Sequence, residues 1–106
     1  MKTLTLPLKK KWFDLIKAGT KKEEYRDGSK SFYWAHRLRE HSLTKYGLRY
    51  GSFKHFDKLV FTLGYPKADD SERRLEFRNP KIRIDEGKPE WGAEPNKLYF
   101  VITWEA

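Results

Sequence analysis

The chain of 106 residues is sized for a single domain spanning 1–106, and its seven Phe, six Tyr and four Trp supply ring area for one core, which argues against disorder despite 36% charged residues. The absence of cysteine excludes a disulfide framework or a thiolate zinc site. No apolar run nears the roughly 20 residues of a membrane span, and the opening Met1-Lys2-Thr3-Leu4 lacks the apolar stretch of a secretory signal, so no membrane partner and a cytoplasmic location are expected.

The net charge of +8 is one-sided: residues 1–50 hold 13 Lys/Arg against 5 Asp/Glu, whereas residues 51–106 hold 10 of each. A one-sided excess suggests a basic face and an anionic partner, although a solvated lysine-rich surface has the same composition.

Thr3-Leu4-Thr5-Leu6 alternates as a half-buried strand does. Pro7 suits the first position of a helix, and Leu8, Trp12, Leu15 and Ile16 then share one face of a helix over 8–18 that Gly19 stops. Lys9, Lys10 and Lys11 crowd its first turn, where acidic residues are favoured, so Lys10 and Lys11 are candidate anion ligands. Thr20 to Arg26 reads as a second strand, Asp27-Gly28-Ser29 as a turn and Ser31 to Glu40 as a second helix. Residues 43–57 read as irregular, and Lys58 to Leu63 as a buried strand with Leu59, Phe61 and Leu63 inward. Arg73 to Ile84 carries two alternations out of register by one residue, so a bulge or bend belongs at Asn79-Pro80. A turn-rich connection, Asp85 to Asn96, leads to a last strand from Leu98 to Trp104. The class expected is α+β, a small curled sheet or β-barrel of five to six strands with two helices near the N-terminus.

Gly19-Thr20-Lys21-Lys22-Glu23-Glu24-Tyr25-Arg26 contains Gly-x-Lys-x-x-Glu-x-Arg. In a strand, Glu24 and Arg26 share a face and can hold each other's rotamers, while Lys21 can come round from the Gly19 turn. Arg26 offers a planar fork for phosphate or a base edge; Lys21 offers a point charge or, once deprotonated, a base. A ladder of surface ion pairs would have the same pattern. The motif, its place after a short amphipathic helix and first strand, the opening Leu-Thr-Leu-Pro-Leu-Lys-Lys and the turn Pro89-Glu90-Trp91-Gly92 together resemble small bacterial and phage members of the ASCH family. The resemblance implies a PUA-like barrel and a cleft that binds RNA or a modified nucleotide, with no cofactor. One bacterial branch similar around the motif hydrolyses acylated cytidine: its motif lysine activates a threonine placed where Glu24 stands here, and a distant glutamate assists. Another branch cleaves RNA. The resemblance therefore also admits a small amidohydrolase or ribonuclease with Lys21 as base, and Glu24 and Glu76 as further catalytic candidates.

His36, His41 and His55 lack metal-ligand spacing, and five residues on a helix would part His36 from His41 in angle, so no metal is expected, although His36 could reach the site as an acid–base group. The stretch Lys45, Tyr46, Arg49, Tyr50, Phe53, Lys54, His55, Phe56 interleaves cations with rings, as surfaces that stack unpaired bases do, and as a loop pinned by its aromatics also does. Tyr50 is a candidate there, and Trp91 is either a structural lid or a stacking wall. The functional classes left are an RNA- or nucleotide-binding module, a hydrolase, and a protein-partner-binding regulator.

Overall fold

The structure, a computed structural model, describes residues 1–29 and 32–106. Strand β1 (Thr3–Leu8) buries Leu4, Leu6 and Leu8 and pairs in parallel with β5 (Lys58–Leu63). Pro7 thus does not open the helix: it lies inside β1, opposite Thr62. An edge strand tolerates this because one of its sides carries no ladder to interrupt. Helix α1 (Lys10–Lys17) starts after Lys9, which provides no side-chain cap, and buries Phe13 and Ile16.

The end of α1 sets where the next strand can begin. Gly19 has φ of 79°, its N–H donates to the Ile16 carbonyl, and the N–H groups of Thr20 and Lys21 both donate to the Leu15 carbonyl. This is the Schellman arrangement, which needs a left-handed residue after the helix. Residues 20 and 21 are thereby consumed by the helix end, so the strand expected over 20–26 shrinks to β2 (Glu24–Arg26).

Helix α2 (Tyr33–Leu38) comes next; Ser31, its expected start, lies outside the described residues. The segment expected to be irregular instead forms a hairpin, β3 (Arg39–Thr44) and β4 (Gly47–Phe53), which makes a two-stranded sheet of its own. Strand β6 (Arg74–Glu86) runs unbroken past Asn79-Pro80, where the register to β7 (Leu98–Glu105) shifts by one residue and Asn79 has φ of 48°. The bend is therefore a bulge within one strand.

The main sheet has the order β1-β5-β6-β7-β2 and is mixed, with one parallel pair. Laid flat, five strands at about 4.8 Å spacing would hold its edges about 19 Å apart. Yet an Arg26 Nη2 on β2 lies 3.0 Å from the Pro7 carbonyl on β1. The sheet is strongly curled, and β1 and β2 face each other across a seam. Among the described residues no backbone ladder joins them, so the expected barrel is an open curled sheet. Its concave side holds the core: Leu4, Leu6, Phe13, Ile16, Leu38, Leu59, Phe61, Phe100 and Ile102 pack together. Tyr99 and Val101 point to the other side of β7 and pack with Ala93 and Tyr25. Among the described residues no helix is long and apolar enough to cross a membrane.

Candidate functional site

Glu24 stands opposite Ile102 and Arg26 opposite Phe100, so both side chains take the core face of the sheet at its seam. Lys22 is exposed, and Lys21 is swung inward by the helix end. The Lys21 side chain is 1% exposed; its Nζ lies 4.7 Å from the Trp12 ring centre and 5.8 Å from that of Tyr25. It donates to Glu24 Oε1 at 2.6 Å, and Arg26 Nη2 reaches Glu24 Oε2 at 3.0 Å. The same Nη2 donates to the Pro7 carbonyl, while the guanidinium sits 5.0 Å over Trp34. Arg26 Nε is buried with no hydrogen-bond partner among the described residues.

Such a triad is an expensive way to fill a seam. Desolvating two cations and a carboxylate offsets most of their mutual attraction, and apolar groups of similar volume are commonly as stable. Buried charge at a cavity is therefore more readily explained by chemistry than by folding. Burial pushes the Lys21 ammonium below the usual lysine value, and contact with Glu24 opposes this only in part.

On the outer face, the Tyr25 hydroxyl donates to Glu23 at 2.8 Å and accepts from the Lys88 N–H at 3.0 Å. Burial raises the Tyr25 phenol well above its ordinary value, so it stays neutral. Burial alone would also raise the Glu23 carboxyl, but Arg83 at 2.8 Å and Tyr25 outweigh it and hold it low. These bonds fasten the chain after β6 to β2 and set the turn Pro89–Trp91 over the seam. Gly92, with φ of 98°, then approaches Trp12 so closely that a Cβ there would lie 2.8 Å from the indole. A glycine is required on both counts.

The result is a cavity of about 550 Å³. Lys21, Glu24 and Arg26 form its polar floor; Trp12, Tyr25, Trp91 and Tyr99 supply rings; Tyr65, 92% exposed, stands at its mouth. No family model, curated protein or solved structure matches the chain. The reading of the site therefore rests on its own geometry.

Of the residues singled out from sequence, Lys21, Glu24, Arg26 and Trp91 converge on this cavity. Lys10 and Lys11 do not line it: Lys10 turns to Asp14 one helical turn on, and Lys11 lies over the Trp12 ring, while of these three neighbours Lys9 is the one at the cavity. Glu76 alternates with the inward Leu75 and Phe77, so it points off the core, pairs with Lys58 and lines a separate cavity. Tyr50 belongs to the hairpin, where it stacks with Phe32, and its hydroxyl is buried without a partner among the described residues. His36 is not at the site either. Because α2 ends at Leu38, the chain doubles back and brings the His36 and His41 rings to 3.7 Å, contrary to the separation expected of one helix. No group of three or more potential metal ligands occurs among the described residues.

As site residues, Trp12, Tyr25, Tyr65 and Tyr99 were missed from sequence. Gly64-Tyr65-Pro66 did carry a signal, since Gly and Pro after a buried strand mark an exposed turn, and Gly64 there takes a φ of 62°. The floor offers a carboxylate acceptor and two cations between aromatic walls. That combination suits a flat ring whose edge presents both donors and acceptors.

Proposed function

We propose that the chain is an ASCH-type, PUA-like domain of the cytoplasm that takes an unpaired base of RNA, or a modified nucleotide, into the cleft over Lys21, Glu24 and Arg26. The observation that carries this reading is the buried Lys21–Glu24–Arg26 string at the floor of a cavity walled by four rings. The cavity volume lies in the range of small-ligand sites. Recognition of single-stranded RNA rests on this pairing of aromatic stacking with hydrogen bonds to a base edge.

Binding is better supported than hydrolysis. Among the described residues no serine or threonine lines the cavity, and Thr20 is exposed outside it, so a lysine-activated hydroxyl has no counterpart among them. The Lys21 amine is also held by Glu24 rather than directed at open space.

Fluorescence anisotropy with a labelled, random-sequence single-stranded RNA tests the reading. Affinity is expected to fall steeply with salt, and Arg26→Ala to weaken binding about tenfold or more with the fold retained by circular dichroism. Absence of binding to wild type at low salt removes the proposal. Release of acetate from acetylcytidine, or RNA cleavage, lost in Lys21→Ala would replace it with the hydrolase reading.

A further inference from the structure

Pro7 and Tyr65 line not only the cleft over Lys21, Glu24 and Arg26 but also a second cavity, of about 440 Å³, on its other side. The two hollows share this ridge, and the indole of Trp34 lies in the second while carrying the Arg26 guanidinium of the first on its face. The polar character of the second hollow differs from that of the first. Arg37 and Arg74 both line it, and no Asp or Glu does. Arg37 donates to the Thr5 carbonyl at 3.4 Å and lies 5.4 Å over Trp34; Arg74 donates to the Lys67 carbonyl at 3.3 Å. Neither guanidinium has a carboxylate partner among the described residues. Of the arginines, Arg26, Arg73 and Arg83 have carboxylate partners, whereas Arg37 and Arg74, like Arg39, Arg49 and Arg78, have none among the described residues.

We infer that this second cavity holds a phosphodiester of the same single strand whose base enters the first, so that the natural ligand is an oligonucleotide and not a free base or nucleoside. Resting as it does on the reading of the first cleft, the inference adds the second half of the footprint. Two guanidiniums anchored through neutral carbonyls retain their full charge and further N–H groups, which is what a phosphate oxygen needs. Trp34 and Tyr65 give the adjoining sugar or base a ring to lie against. Arg26 is held by Glu24 at the floor of the first hollow, whereas Arg37 and Arg74 have no such restraint. Base reading and backbone holding are thereby divided between the two sides of the Pro7–Tyr65 ridge.

The test is the salt dependence of binding to a labelled, random-sequence RNA hexamer, compared among wild type, Arg37→Gln/Arg74→Gln and a charge-matched control. The control, Lys17→Gln/Lys81→Gln, removes two exposed charges outside both cavities. If the inference holds, the arginine double variant loses tenfold or more in affinity at low salt. Its slope of log K against log salt also flattens by about 1.4, two phosphate contacts at roughly 0.7 each for single strands, while the control changes far less. A DNA hexamer of random sequence, run in parallel, separates recognition of the shared phosphodiester from a requirement for ribose: equal slopes assign the arginines to phosphate, and a slope loss with RNA alone would overturn that assignment. Equal affinity and slope in wild type and the arginine variant, with binding still lost in Arg26→Ala, would overturn the second cavity and leave the first. No hexamer binding by wild type would overturn both.

Discussion

Glu24 neutralises two buried cations at once, so its charge is the one the seam can least lose. Glu24→Gln keeps the shape but leaves Lys21 and Arg26 buried without a counter-charge, and a loss of about 3–5 kcal/mol is expected, read as a lower urea midpoint at unchanged slope. Replacing the three together by Met, Leu and Met should recover most of that stability and abolish RNA binding. Failure to recover would mean that the triad is needed for folding itself. A second residue-scale effect concerns pH. Lys97 at 2.6 Å and the Ser29 N–H and hydroxyl hold the Asp27 carboxyl well below its ordinary value. A carboxyl depressed in the folded state contributes stability above its unfolded value of 3.8, and that contribution is lost as pH falls through the folded value. Acid denaturation of Asp27→Asn should accordingly lack this part of the fall below pH 3.8, which a series of urea midpoints between pH 2 and pH 6 would reveal.

At the scale of elements, the tip of the hairpin of β3 and β4 stands clear of the core, while Phe53 at its base packs against it. Its tip exposes Leu43 by 83% and Leu48 by 45%, and Ser42 pairs directly with Arg49. Replacing residues 43–48 by Asn-Gly, a two-residue turn suited to antiparallel strands, should shift stability by less than about 0.5 kcal/mol in thermal melts. A larger loss would show that the tip is packed. The same exposure explains why the hairpin was not legible in the sequence. Its alternation is carried by His41, Leu43, Leu48 and Tyr50 between polar residues, without the continuous apolar face that a core strand must present. Pro7 was ambiguous for another reason, since the first turn of a helix and an edge strand both accept a proline. The second strand was overread because residue alternation carries no sign that Thr20 and Lys21 are bonded to the helix end. What was legible came from hard local constraints: Gly19 as a helix stop, the one-residue slip at Asn79-Pro80, and Glu24 and Arg26 on a shared face. Glu76 looked eligible only because sequence gives its alternation but not which face of β6 is the outer one.

For the molecule as a whole, the short connection from β1 through α1 to β2 ties together the two edges of one sheet. The sheet curls so that those edges meet, and among the described residues the seam between them is filled by side chains and not by a ladder. A seam filled this way can carry charge in its wall and open into a cleft, which is where the polar residues of Gly19–Arg26 acquire a use. The central claim is that this cleft receives a base. Heteronuclear NMR of the wild-type protein titrated with random-sequence single-stranded RNA tests it most directly, because the tryptophans report separate places: Trp12 and Trp91 at the cleft, and Trp104 between Phe61 and Phe77 in the core. Base entry predicts saturable shifts of the Trp12 and Trp91 indole signals and of the Lys21–Arg26 amides, with Trp104 unmoved. Unshifted cleft indoles at low salt, or shifts confined to Arg39–Phe53, would contradict it.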